Sequence, residues 1–155
     1  EPSSFPPRAK ECAGCFVTIH RANGTLRGCI GTFSAERPLW STVDDMAIAA
    51  ATRDPRFSAM NQSELGECVL EISVLSPRVV VSPGDVQVGV HGVAVEKGMQ
   101  RGVLLPQVAP EQGWDREELL DQTCMKAGLS RDAWRDGSVT VEVFTADVFS
   151  ESGRR

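Results

Sequence analysis

Along the chain, short β-rich runs alternate with two segments whose apolar residues recur at helical spacing. Cys15 to His20 (Cys-Phe-Val-Thr-Ile-His) reads as a strand, and Asn23-Gly24 is a type I′ turn signal leading into a second strand over Thr25 to Ile30. The chain therefore opens with a hairpin. Ser34 then precedes a segment in which Leu39, Val43, Met46, Ala47 and Ala50 recur at i, i+4, i+7, i+8 and i+11, one apolar helix face that ends at Asp54-Pro55. From Cys68 to Leu75 apolar residues alternate with Glu67, Glu71 and Ser73, a strand bounded by Pro77.

The next third reads as sheet. Val79 to Val81 and Val86 to Val95 supply short strands broken by Pro83-Gly84, Gly89 and Gly92, and Gly98 marks a hairpin before Val103 to Leu105. Asp115 with Glu118 has capping-box spacing, Leu120, Cys124 and Ala127 form a helical stripe, and Gly128-Leu129 fits a helix C-terminus. Val139 to Phe144 gives a closing strand. Strands and helices mix without a repeated βαβ rhythm, so the expected class is α+β: a two-lobed single domain with a mixed, mostly antiparallel sheet. A shift of 74 residues lays Gly24, Arg27, Gly28, Ala35 and Trp40 onto Gly98, Arg101, Gly102, Ala109 and Trp114, which points to an internal β-rich and helical duplication. Trp40 and Trp114 are then expected near the starts of equivalent helices.

Composition narrows the function classes. At 155 residues with 41% hydrophobic content, one substantial core is affordable, and the expected organisation is a Pro-rich flexible stub over 1–10, a domain over 11–151 and a disordered tail over 152–155. The formal net charge is −5, with Lys and Arg scattered, so there is no electrostatic footprint for nucleic acid. No stretch reaches the roughly 20 apolar residues of a membrane span, and the start carries no secretory signal; the expected location is cytoplasmic. With Glu1 first, the chain reads as beginning inside a longer natural sequence. Phosphate-binding Gly-rich loops, the Ser nucleophile elbow, HExxH and the Rossmann fingerprint are all absent.

Cys29 lies between Gly28 and Ile30-Gly31, and strict strand alternation places Arg27 on the same face, where it would favour a thiolate. The plainer reading makes Cys29 a small core hydrophobe. His91, between Gly89 and Gly92, is the candidate base, or a turn residue satisfying backbone groups; His20 is expected at an exposed strand end. Arg56 in Asp54-Pro55-Arg56-Phe57 reads either as a pocket wall able to hold a carboxylate or phosphate, or as the partner of a helix-terminating salt bridge. Cys12-Ala13-Gly14-Cys15 has metal-like or redox-like spacing but no second ligand pair downstream, so no metal and no cofactor are expected, and Cys29, Cys68 and Cys124 are expected as free thiols.

Leu26-Arg27-Gly28-Cys29-Ile30-Gly31 resembles the signature hexapeptide of the AMMECR family, also called AmmeMemoRadiSam system protein A. Asp54-Pro55-Arg56-Phe57, Glu71 to Ser76, Val88 to Gly92, Leu104 to Val108 and Lys126 to Leu129 resemble further blocks of that family, in its order, so the resemblance spans about Cys15 to Glu151. It departs from the family in lacking a helical segment ahead of the first strand and in carrying Cys12 and Cys15. The resemblance implies a two-lobed α+β fold with a structural duplication, and association of prokaryotic members with a Memo-type protein and a radical SAM protein. It adds Gln107 and Lys126 to the candidates, which are then Cys29, Arg27 and His91 for chemistry and Gly28, Gly31, Arg56, Gln107 and Lys126 for binding. Two functions follow as expectations: a binding or accessory module with a pocket at the hexapeptide, or an enzyme using Cys29 as nucleophile or redox thiol on a small molecule.

Overall fold

The computed structural model describes residues 4–151 together with the backbone of Gly153 and Arg154. The chain forms two compact units, residues 1–76 with 147–155 and residues 77–146. Each is an antiparallel sheet with helices, which makes the fold α+β.

In the first unit, β1 (Cys15–Arg21) and β2 (Leu26–Thr32) form the hairpin. The turn differs from the expected two-residue type I′, which needs positive φ at both central residues. Gly24 has φ 88°, and among the described residues only glycines take a positive φ. The loop is three residues long, Ala22 to Gly24: Gly24 N–H donates to Arg21 O and Arg21 N–H to Thr25 O, both at 2.8 Å. Asn23 closes it by accepting from the Thr25 N–H and hydroxyl. Register slips between Ile19 and His20, and Arg27 is left without a directly opposed residue.

Cys15, Val17 and Ile19 alternate inward along β1 and are buried. Over them lies α2 (Leu39–Thr52), which buries Leu39, Thr42, Ala49 and Ala50. The strand β3 (Cys68–Leu75) pairs with β1 on the side away from β2, and β8 (Ala146–Ser150) lies beside β3, giving the order β2-β1-β3-β8-β9 with β9 at Gly153–Arg154. Within the expected stub, Pro7–Lys10 is a helical turn, α1, and Arg8 bonds Asp147 at 2.8 Å while covering the Phe149 ring. Residues 1–3, Ser152 and Arg155 of the expected stub and tail lie outside the described residues.

The second unit has the order β4-β7-β5-β6, with β4 at Val79–Val80, β5 at Gly92–Lys97, β6 at Gln100–Leu104 and β7 at Thr140–Phe144. The strand expected over Val86 to Val95 begins only at Gly92. Before it the chain turns, with His91 and Val90 N–H both donating to Gln87 O. Val93, Val95, Val141 and Val143 form the core with Leu119, Leu120 and Cys124 of α4 (Arg116–Lys126). Asp115 caps α4 by accepting the Glu118 N–H at 2.8 Å, and a short α3 (Val108–Gln112), not anticipated from the sequence, precedes it.

The two units share a ββαβ plan. In each, a hairpin (β1-β2, β5-β6) is followed by a helix packed on it (α2, α4) and by a strand (β3, β7) that pairs with the first strand of the hairpin. The shifted pair Gly28 and Gly102 sits under the helix both times: a Cβ on Gly28 would fall on the Ala50 carbonyl oxygen, and one on Gly102 would lie 2.7 Å from Thr123 O. The expected equivalence of the two tryptophans does not hold: Trp40 is the second residue of α2 and packs on Phe5, whereas Trp114 lies between α3 and α4, ahead of the Asp115 cap, and joins the valine core. What the two units share is the scaffold and its close helix-to-strand contact.

Candidate functional site

The hexapeptide strand β2 is an edge strand of its sheet. With Gly28 pressed beneath α2, alternation turns the Cys29 side chain to the opposite face, where Thr18 is directly across and its Oγ1 lies 3.2 Å from Sγ. The peptide groups of Cys29 point outward from the edge, and unpaired edge groups of this kind must be satisfied or covered. Asp54 Oδ2 accepts the Cys29 N–H at 2.9 Å, and Arg56 Nη2 donates to the Cys29 carbonyl at 3.3 Å. Arg56 in turn clasps Asp54 through Nε (3.0 Å), Nη2 (2.7 Å) and its own N–H (3.0 Å).

Asp-Pro-Arg thus behaves as a fragment of neighbouring strand: one acceptor and one donor, rigidly paired, closing the sheet edge at one residue. The Asp54 side chain is 2% exposed and that of Arg56 54%. The Arg56 guanidinium holds the Asp54 carboxyl far below the ordinary carboxylate range, against the opposing effect of burial and with help from the Cys29 and Arg56 N–H groups.

Arg27 is fixed separately. Its side chain, 5% exposed, meets Glu64 with Nε at 2.9 Å and Nη2 at 3.3 Å, a two-pronged pair. Glu64 belongs to a helical turn over Gln62–Glu67 and completes a capping box there: its carboxylate accepts the Asn61 N–H while Asn61 Oδ1 accepts the Glu64 N–H. The Arg27 guanidinium is the main cause of the lowered Glu64 pKa. Phe57 is flanked by both arginines, with Arg27 Cζ 5.9 Å and Arg56 Cζ 5.5 Å from its ring centre. Arg27 therefore serves the segment that follows α2, and the guanidinium bonded to the Cys29 peptide is that of Arg56.

Of the candidates, Arg27, Gly28, Cys29, Gly31 and Arg56 converge in the first unit, with Gly31 seated under the Phe16 ring. His91, Gln107 and Lys126 belong to the second. There His91 Nδ1 accepts the Gln87 N–H at 3.0 Å, Gln107 is the N-cap residue of α3, and Lys126 Nζ donates to Val103 O at 2.8 Å. His20, expected exposed, is half-buried on β1, on the face it shares by alternation with Thr18, and its Nδ1 is enclosed without a hydrogen-bond partner. Thr18, Asn61 and Glu64 were not anticipated from the sequence, and Phe57 was noted only as part of the Asp54-to-Phe57 block. The Asn61-x-x-Glu64 spacing is a capping-box signal that could have shown two of them.

All five cysteines are free thiols: Cys12 exposed, Cys29 and Cys68 half-buried, Cys15 and Cys124 buried. Burial pushes the Cys15 thiol up to about 11 and raises that of Cys124 as well. Among the described residues, no group of three or more His, Cys, Asp or Glu side chains could hold a metal ion, and no helix is long and apolar enough to cross a membrane. With iodoacetamide near neutral pH, mass-spectrometric mapping is expected to find Cys12 labelled first, Cys29 at least about tenfold more slowly, and Cys15 and Cys124 protected until the protein unfolds. Early labelling of Cys15 or Cys124 would contradict this packing.

The chain matches the family model described as AMMECR1 over residues 1–149. A protein of Methanothermobacter thermautotrophicus is 45% identical over 159 residues, covering 98% of this chain and 82% of the relative. One from Methanococcoides burtonii is 44% identical over 147 residues, covering 91% and 72%. The crystal structure of an uncharacterized protein from Pyrococcus horikoshii superposes with a TM-score of 0.85 at 40% identity, over 99% of this chain and 84% of the other.

Proposed function

This chain belongs to the AMMECR1 family, and on that premise we propose that it is a cytoplasmic binding or accessory component, with the edge strand Leu26–Thr32 at the centre of its recognition surface. One observation carries the reading: the charged groups around Cys29 are spent on one another. Asp54 and Arg56 hold each other and the Cys29 peptide, Arg27 and Glu64 hold each other, and Sγ lies against the Thr18 hydroxyl. A nucleophilic thiol needs a base to take its proton, and among the described residues no histidine or carboxylate hydrogen-bonds this sulfur. A docking surface needs only rigid presentation, which the two ion pairs supply.

The partners suggested by the family resemblance are a Memo-type protein and a radical SAM protein. Titration calorimetry with each, taken from the same genome, is expected to give saturable binding to at least one, weakened about tenfold or more by Arg56→Ala. Absence of binding to both would overturn the reading. The alternative, Cys29 acting on a small-molecule substrate, draws on the unpartnered Nδ1 of His20 on the same sheet face. It predicts a covalent adduct on Cys29 after incubation with cell metabolites, lost in His20→Gln, which the binding reading does not.

A further inference from the structure

Away from Cys29, the first unit holds an open cavity of about 580 Å³ between the β1-β2 turn and the helical turn over Gln62–Glu67, lined by Arg21, Ala22, Asn23, Glu64, Gly66, Glu67 and Cys68. Its volume falls within the range of small-molecule sites, roughly 300–1,000 Å³. Three chemistries meet in it. Arg21 stands directly across the β1-β3 ladder from Cys68. Its Nη1 is engaged with the hairpin, at Leu26 O (2.8 Å) and Thr25 Oγ1 (3.3 Å), and among the described residues Nε and Nη2 form no hydrogen bond. The Glu64 charge is met by Arg27, which leaves Glu67 as an exposed carboxylate on the wall. Cys68 contributes a free, half-buried thiol.

A guanidinium and a carboxylate flanking a thiol complement a ligand that carries a carboxylate, an ammonium and a sulfur. We propose that this cavity takes an amino-acid disulfide of the cystine type and that Cys68 exchanges with it. The ligand carboxylate pairs with Arg21 and its ammonium with Glu67. Cys68 loses its proton to solvent and its thiolate attacks one ligand sulfur. The Cys68–S–S bond forms as the ligand S–S bond breaks, and the departing thiolate takes up a proton. Cys68 and one half of the ligand end in a mixed disulfide, the other half as a thiol, with no further oxidant required.

The test uses three disulfides on the whole protein: cystine, cystamine (ammonium only) and 3,3′-dithiodipropionate (carboxylate only). Adduct formation at each cysteine is followed by mass spectrometry, with Cys68→Ser identifying the site. Cystine is expected to modify Cys68 at least about fivefold faster than either analogue, allowing for their intrinsic rates on free cysteine. Arg21→Gln is expected to erase the preference over cystamine, and Glu67→Gln that over dithiodipropionate. Because Arg21 also holds the hairpin, the Glu67 variant, which touches no strand bond, carries the decision if Arg21→Gln fails to fold. Equal rates for the three disulfides, or no adduct at Cys68, would overturn the proposal.

Discussion

Gly28→Ala is expected to destabilise the protein by about 3 kcal/mol and to lower Tm by roughly 10 °C. Propensity alone argues the other way, since replacing a strand glycine by alanine gains about 0.5–1 kcal/mol. The sign is decided by packing: the new methyl would land on the Ala50 carbonyl oxygen, part of a helix backbone that cannot rotate aside as a side chain can. Gly102→Ala, with Thr123 O and Ala127 N each 2.7 Å away, should show the same sign in the second unit. Gly66→Ala, with nothing within 4 Å, is the control and should stay within about 0.5 kcal/mol. Thermal unfolding of the three variants checks this, and a Gly28→Ala protein as stable as the parent would mean that α2 does not press on β2 as described.

Asp54→Asn is expected to lower Tm at pH 7 by roughly 10 °C and to flatten the acid limb of the stability profile. An amide cannot accept from the Cys29 N–H and still compensate the Arg56 guanidinium. The folded-state pKa of Asp54 lies well below the unfolded value of about 3.9. Its contribution is therefore complete above about pH 5 and is lost as pH falls towards the folded pKa, because the unfolded chain takes up the proton first. The gap between parent and variant should be widest at neutral pH and should shrink by pH 3. Glu64, also lowered, keeps some acid sensitivity in the variant. A gap of constant size across this range would show that Asp54 is not held charged by its neighbours.

Much of the scaffold was legible because it is written in local periodicity. The hairpin, α2, β3 and α4 all follow apolar spacing, and the shift of 74 residues found both hairpin-to-helix contacts. Misread segments are those in which the same composition serves a turn. The valines from Val86 to Val90 look like strand, yet Gly89 and the Gln87 carbonyl fold them into a loop. The closing strand expected over Val139 to Phe144 matches β7, but β8 was not anticipated, since nothing local shows that Ala146–Ser150 joins the other sheet.

For the site, the hexapeptide and Asp54 to Phe57 stood out, but their roles depended on register. A two-residue Asn23-Gly24 turn would set Arg27 opposite His20; the three-residue loop moves Leu26 there and leaves Arg27 at the slip, committed to Glu64. That Asp54 and Arg56 close a sheet edge required knowing that β2 is the edge, a tertiary fact. Arg101, the shifted counterpart of Arg27, is exposed and pairs with its own cross-strand neighbour Glu96, so the repeated Arg became a buried anchor in only one copy.

We propose that the framework around β2, and not the Cys29 sulfur, carries partner binding. Partner affinity measured side by side for Cys29→Ser and Asp54→Asn tests it most directly. The account predicts that Cys29→Ser binds within about threefold of the parent while Asp54→Asn, folded at the assay temperature, loses about tenfold or more. Loss of binding in Cys29→Ser with Asp54→Asn unaffected would contradict it.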